Sequence, residues 1–155
     1  MYDNALYEYR PQHDSIVSDL TKAINGEYSA IHCYERLAQL APTDEQRHRI
    51  LEIRQDEINH FHRFSQLYTQ LTNRQPTPQI TEECPAHYRD GLTFAFNDEQ
   101  NTVDFYLKAA DRASQPLVQE AFRRAAARCL VSLFFDENVK RIAKRKRLNR
   151  CDACV

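Results

Sequence analysis

The sequence predicts an all-α fold, a four-helix bundle built from two duplicated antiparallel helical hairpins joined by a longer connection. Three observations carry this. A chain of 155 residues with two glycines, no tryptophan and abundant Ala, Leu, Glu, Gln and Arg favours helix over sheet and suffices for one buried core. Apolar residues recur at three- and four-residue spacing over four long windows, separated by "APTDEQ", "TNRQPTPQITEECP" and "ASQPLVQ". The two hairpins also resemble each other.

Residues 1–13 read as a flexible, tyrosine-rich lead-in with Pro11 near its end. Asp14 or Ser15 can cap a first helix that runs to about Leu40, with Leu20, Ile24, Ile31, Tyr34 and Ala38 on one face. Thr43 with Gln46 three residues later is a capping box, and it starts a second helix that ends near Leu71. The next stretch carries three prolines and no helical period, so it predicts an ordered crossover. A third helix is expected over about 86–112, and Pro116 suits the first turn of a fourth. The bundle is expected to occupy 14–146, with 147–155 a basic, cysteine-containing tail.

Shifted by 72 positions, "TKAINGEYSAIHCYERLA" (21–38) lies over "TFAFNDEQNTVDFYLKAA" (93–110). Thr21/Thr93, Ala23/Ala95, Asn25/Asn97, Glu27/Glu99, Tyr34/Tyr106 and Ala38/Ala110 coincide. Chance would supply about one or two matches, so a helical hairpin has been duplicated.

The chemistry lies in "ILEIRQDEINHFHRF" (50–64), where Glu57 and His60 share a helix face with Ile50, Ile53, Phe61 and Phe64. Glu27 sits likewise between Ile24 and Ile31, and Glu99 between Phe96 and Val103. Burying an unpaired carboxylate costs several kcal/mol, and those stripes hold few lysines or arginines to offset it. A divalent metal satisfies all three acids at once, with the His60 imidazole brought to the same point. Tyr34 and Tyr106 are expected to pack in the core with their hydroxyls bonded. His32, His48 and His62 fall off the ligand face, and Asp56, Asp98 and Asp104 are expected to be solvated.

One glutamate on a first helix, Glu-x-x-His on a second, and a repeat of the theme resembles the di-iron carboxylate pattern of ferritin-like bundles. "NGEYSAIHCYERLA", "RQDEINHFHRF" and "NDEQNTVDFYLKAAD" carry the resemblance, over about residues 14–127. The chain looks like a short, rubrerythrin-type protein without a rubredoxin module. The resemblance implies Glu27, Glu57, His60 and Glu99 as metal ligands, with Glu57 bridging two ions. It also implies iron, one or two ions, as the cofactor, manganese and zinc accepting similar ligands. An intact family site would reduce peroxide or dioxygen.

The pattern breaks in the fourth helix. Thirty residues separate Glu27 from Glu57, and three more reach His60; the same steps from Glu99 land on Cys129 and Ser132, where the family has Glu and His. Cysteine can ligate as a thiolate, but a small buried thiol is the expected role. From Arg128 onward the chain no longer resembles the first hairpin. With suitable codons, "LFFDENVK" read one base later becomes Tyr-Phe-Leu-Thr-Lys-Thr-stop. Residues after about 127 are therefore expected to derive from a shifted reading frame.

A net charge of −1 provides no field to attract nucleic acid, and no apolar run is long enough to cross a bilayer. The basic run Lys140, Arg141, Lys144, Arg145, Lys146 and Arg147 lacks interleaved aromatics, and Cys151 with Cys154 lacks the second pair that a zinc site needs. Five cysteines, an odd number, suit a reducing cytoplasm better than a disulfide framework. The expectation is a cytoplasmic, ferritin-like metal-binding protein, a homodimer with no membrane or nucleic-acid partner, and with an incomplete second half-site. The alternative is a non-catalytic structural or assembly bundle.

Overall fold

A computed structural model describes residues 5–132, and side chains from Ser15 onward. Four helices make up the bundle, and there is no strand among the described residues. They are α1 (Ala5–Leu40), α2 (Asp44–Thr72), α3 (Tyr88–Arg112) and α4, described over 116–132. The basic run and the Cys151–Cys154 pair lie outside the described residues.

Helix α1 starts earlier than the expected cap at Asp14 or Ser15, and both residues fall inside it. Pro11 is accommodated within the helix, where its missing N–H removes one rung of the ladder. The other boundaries follow local chemistry. The Thr43 side chain accepts from the Gln46 N–H at 3.2 Å, one half of the expected capping box, while Gln46 Oε1 is buried without a hydrogen-bond partner among the described residues. Helix α2 ends on Asn73 in the left-handed region at φ 54°. Pro116 opens α4, where the missing donor costs nothing.

The core forms two apolar clusters. The lower joins Ile16, Leu20 and Ile24 of α1 to Phe64 and Leu67 of α2, Val103 and Tyr106 of α3, and Val118, Phe122 and Ala125 of α4. Rings of Phe64, Tyr106 and Phe122 meet with centroids 4.9 to 5.5 Å apart, the offset spacing that aromatic quadrupoles favour. The upper joins Cys33, Tyr34, Leu37 and Ala38 to Ile50, Ile53, Leu92 and Ala95. Residue order in these clusters gives the topology: α1 runs up, α2 and α3 run down, α4 runs up. The middle connection must therefore climb from the lower end of α2 to the upper start of α3.

It climbs along α1. The Gln79 N–H donates to Asn25 Oδ1 at 3.0 Å, and the Thr81 N–H donates to Ser29 Oγ at 2.9 Å. Next in that register, Cys84 is disulfide-bonded to Cys33. This corrects the expectation of reduced cysteines: positions 25, 29 and 33 form one stripe of α1, and the strap lies along it. The path of an aperiodic strap is not written in a helical repeat, which is why the pairing was not foreseen.

Gly91 is where α1 and α3 come closest. A Cβ there would stand 2.4 Å from Leu37 Cδ2, and Leu37 is wholly buried. At Gly26, also helical, an added Cβ meets nothing within 4 Å. Alanine gains about 1 kcal/mol over glycine in a helix, whereas overpacking costs about 1–3 kcal/mol. Gly26→Ala is expected to stabilise, and Gly91→Ala to be less stable than Gly26→Ala by about 1–3 kcal/mol in urea unfolding.

Candidate metal centre

Between the two clusters lies an acidic layer. Glu27 comes from α1, Glu57 from α2 and Glu99 from α3, each at most 5 % exposed. Each follows from helical spacing, since a residue three or four positions from buried neighbours on both sides must share their face. All three line one cavity of about 20 Å³, together with Gly26, Ala30, Asp98, Thr102 and Tyr106. A space of that size accepts one small guest.

The tyrosines tie the layer together reciprocally. Tyr34 of α1 donates to Glu99 Oε1 of α3 at 2.8 Å, and Tyr106 of α3 donates to Glu27 Oε1 of α1. Tyr34 corresponds to Tyr106 and Glu27 to Glu99 in the duplication, so each repeat's tyrosine grips the other repeat's acid. Burial, followed by the Glu27 charge, pushes the Tyr106 hydroxyl well above its ordinary range, which keeps it a donor.

His60 completes the group from the turn after Glu57. Its Nδ1 lies 3.5 Å from Glu27 Oε1 and 3.4 Å from Glu57 Oε2. Burial disfavours the imidazolium, but hydrogen bonds and charge from Glu27 and Glu57 outweigh it and lift the group to about 10. Glu57 itself is raised well above the usual carboxylate range, first by burial and then by repulsion from Glu27. Its Oε1 is buried with no hydrogen-bond partner among the described residues. His60 also floors a groove of about 570 Å³ between α2 and α4, beside Asp56, Arg63 and Arg128.

The α4 side is as the register foretold. Cys129 and Ser132 are both buried, at 1 % and 3 % exposure. Ligand atoms of Glu57, His60 and Cys129 lie within 4.8 Å of one another. Burial and the nearby charges of Glu99, Glu57 and Glu27 push the Cys129 thiol far up. The Ser132 hydroxyl is spent on the Arg128 carbonyl at 3.3 Å.

Two aspartates expected to be solvated are half-buried and engaged by neighbours. Asp56 accepts from Arg128 Nη2 on both oxygens at 2.7 Å, which ties α2 to α4. Asp98 lines the cavity and is pushed from 3.8 to about 7 by burial and then by Glu82 of the strap. Helical spacing placed Asp98 beside the ligand face but could not show the strap closing over it. Asp104, His32, His48 and His62 are exposed.

The donor set suits a metal: carboxylate oxygens, an imidazole, a thiol, an orphaned buried oxygen at Glu57 and a cavity of ionic size. Glu27, Glu57, His60 and Glu99 are all in the layer, with His60 against Glu27 and Glu57, and Glu99 held by Tyr34 across the cavity.

No family model matches the chain. It is 52% identical over 111 residues to the uncharacterized protein YhjR of Bacillus subtilis (strain 168), covering 72% of this chain and 77% of that one. A two-domain protein of Anabaena variabilis, with DJ-1/ThiJ/PfpI-like and ferritin-like domains, superposes with a TM-score of 0.69 at 15% identity. That match covers 84% of this chain and 37% of the other. A hypothetical protein of Pyrococcus furiosus superposes with a TM-score of 0.66 at 18% identity, over 79% of this chain and 86% of that one. At these identities the likeness concerns fold, and the fold is a ferritin-like four-helix bundle.

One pH effect follows for the metal-free protein. Because Asp98 holds its proton to about 7 when folded, its contribution to stability is complete below 3.8 and is lost as pH rises toward 7. Asp98→Asn is expected to flatten the fall in urea midpoint across that window.

Proposed function

The chain belongs to the same family as YhjR of Bacillus subtilis, and from that premise we propose that it is a ferritin-like metal-binding protein of the rubrerythrin type. The observation that supports this best is the orphaned Glu57 Oε1, on a carboxylate that touches His60 and lines a cavity of ionic size with Glu27 and Glu99. Glu27, Glu57 and His60 would hold the ion, with Glu99 facing it across the cavity. Bound iron would supply electron transfer toward peroxide or dioxygen.

The chain's own residues have separable tasks in this reading. Glu57 supplies charge at the centre, and His60 exchanges a proton for the metal. Tyr106 and Tyr34 hold Glu27 and Glu99 in place by donating to one oxygen of each. The apolar clusters above and below keep bulk water from the layer, while the groove at His60 offers a path for small solutes. With Cys129 and Ser132 in α4, the second half-site lacks its bridging carboxylate and its imidazole, so two-electron chemistry at a paired centre is not part of the proposal. A homodimer also fits this reading, whereas the Cys33–Cys84 bond removes the argument for a reducing cytoplasm.

A second reading has its own observation. The His60 imidazolium, held between Glu27 and Glu57, neutralises part of the layer without any metal. On that view the bundle is structural. Elemental analysis of protein purified from iron-supplemented medium separates the two. We expect about one metal ion per chain, lost in Glu57→Ala, and affinity that rises with pH as His60 yields its proton. A wild-type protein that retains no metal would favour the structural bundle.

A further inference from the structure

We propose that Cys129 is a metal ligand, so that Glu57, His60 and Cys129 form a mixed carboxylate–imidazole–thiolate site for a single divalent transition-metal ion. The inference rests on the metal-binding reading above and names the chemistry of its fourth-helix side.

Three independent features converge on this thiol. The duplication places residue 129 where Glu57 stands in the first hairpin, so the side chain there enters the layer from the opposite helix. Whatever reading frame gave rise to the segment, the group that enters is sulfur. The structure then brings ligand atoms of Glu57, His60 and Cys129 within 4.8 Å of one another. One ion bridges such a span at ordinary metal–ligand lengths after small side-chain rotations. Finally, the same Glu57 carboxylate, only 3 % exposed, has its Oε1 buried without a hydrogen-bond partner among the described residues. Cys129 is the free cysteine among the described residues, whereas Cys33 and Cys84 are spent on each other.

The protons also balance. As the metal binds, the Cys129 S–H bond breaks and the His60 imidazolium gives up the proton on its ligating nitrogen, both protons passing to solvent. The thiolate and the Glu57 carboxylate then offer negative donors to the dication, and neutral His60 adds nitrogen. Glu27, which accepts from Tyr106 through one oxygen, would add its carboxylate from α1 as in the reading above, and Glu99 remains hydrogen-bonded to Tyr34. A carboxylate at 129 would also carry one negative charge but would be hard. Sulfur shifts preference from magnesium, calcium and manganese toward zinc, cobalt and iron. Ser132, committed to the Arg128 carbonyl, leaves a second ion without an imidazole, so the site takes one metal.

The test is titration of the full-length, metal-free protein with Co²⁺, read in two spectral regions. Visible d–d bands report that cobalt is bound, and a near-ultraviolet sulfur-to-cobalt charge-transfer band reports thiolate ligation. We expect both bands in the wild type, one cobalt per chain, bleaching by Zn²⁺ and none by Mg²⁺. Cys129→Ser and Cys129→Ala should keep visible absorption, lose the near-ultraviolet band and weaken binding at least about tenfold. Far-ultraviolet circular dichroism checks that each variant folds, and the pair guards against failure of one. Visible bands without a charge-transfer band in the wild type, or a band that persists in both variants, would overturn the inference and leave metal binding standing. A wild type that takes up no cobalt would overturn both.

Discussion

Three carboxylates from three helices, held between two apolar clusters, are the constraint around which this bundle is built. Negative charge in a dry interior is unfavourable by several kcal/mol unless it is paired, and nearly every polar group near the layer acts on that cost. Tyr34 and Tyr106 each donate to one acid, His60 lies against two, and Asp98 keeps its proton close to neutrality because it is buried and then because Glu82 faces it. The apolar clusters make the layer dry, and the layer gives the bundle one level at which its helices must register. A slip of one helical turn would move a glutamate into the aromatic cluster of Phe64, Tyr106 and Phe122.

The duplication has a three-dimensional meaning that pairwise identity alone does not convey. Matched residues do not pack against their own copies. Tyr34 reaches Glu99 and Tyr106 reaches Glu27, an exchange between α1 and α3 that makes each repeat depend on the other. That reciprocity survives intact. What has been lost is the contribution of the fourth helix, where the register of the first hairpin meets Cys129 and Ser132. The centre is thus symmetric in its tyrosines and lopsided in its metal-binding groups, weighted toward α2.

Much of this was legible in the sequence, for physical reasons that differ by residue. Glu27, Glu57 and Glu99 could be read as buried because an acid with apolar neighbours three and four residues away has only one face to occupy. The caps at Thr43 and Pro116 were legible because they act over a few residues. Features that depend on the route of the strap were not. The Cys33–Cys84 bond, the cover that Glu82 places over Asp98 and the seam at Asn25 and Ser29 all arise from an aperiodic segment lying on a helix. Asp56 was misread for a related reason: its partner Arg128 comes from a helix whose text had departed from the repeat.

The Cys33–Cys84 bond changes how the polypeptide is connected. Everything between those two residues, including the whole of α2 and so Glu57 and His60, becomes a covalent ring. A peptide bond cut in the exposed stretch near Arg74 or Gln75 would open that ring without releasing either piece. Nicked protein would migrate as one species until a thiol was added, with the helix that carries the acid and the imidazole still joined to α1 and the downstream piece held to α1 by the disulfide.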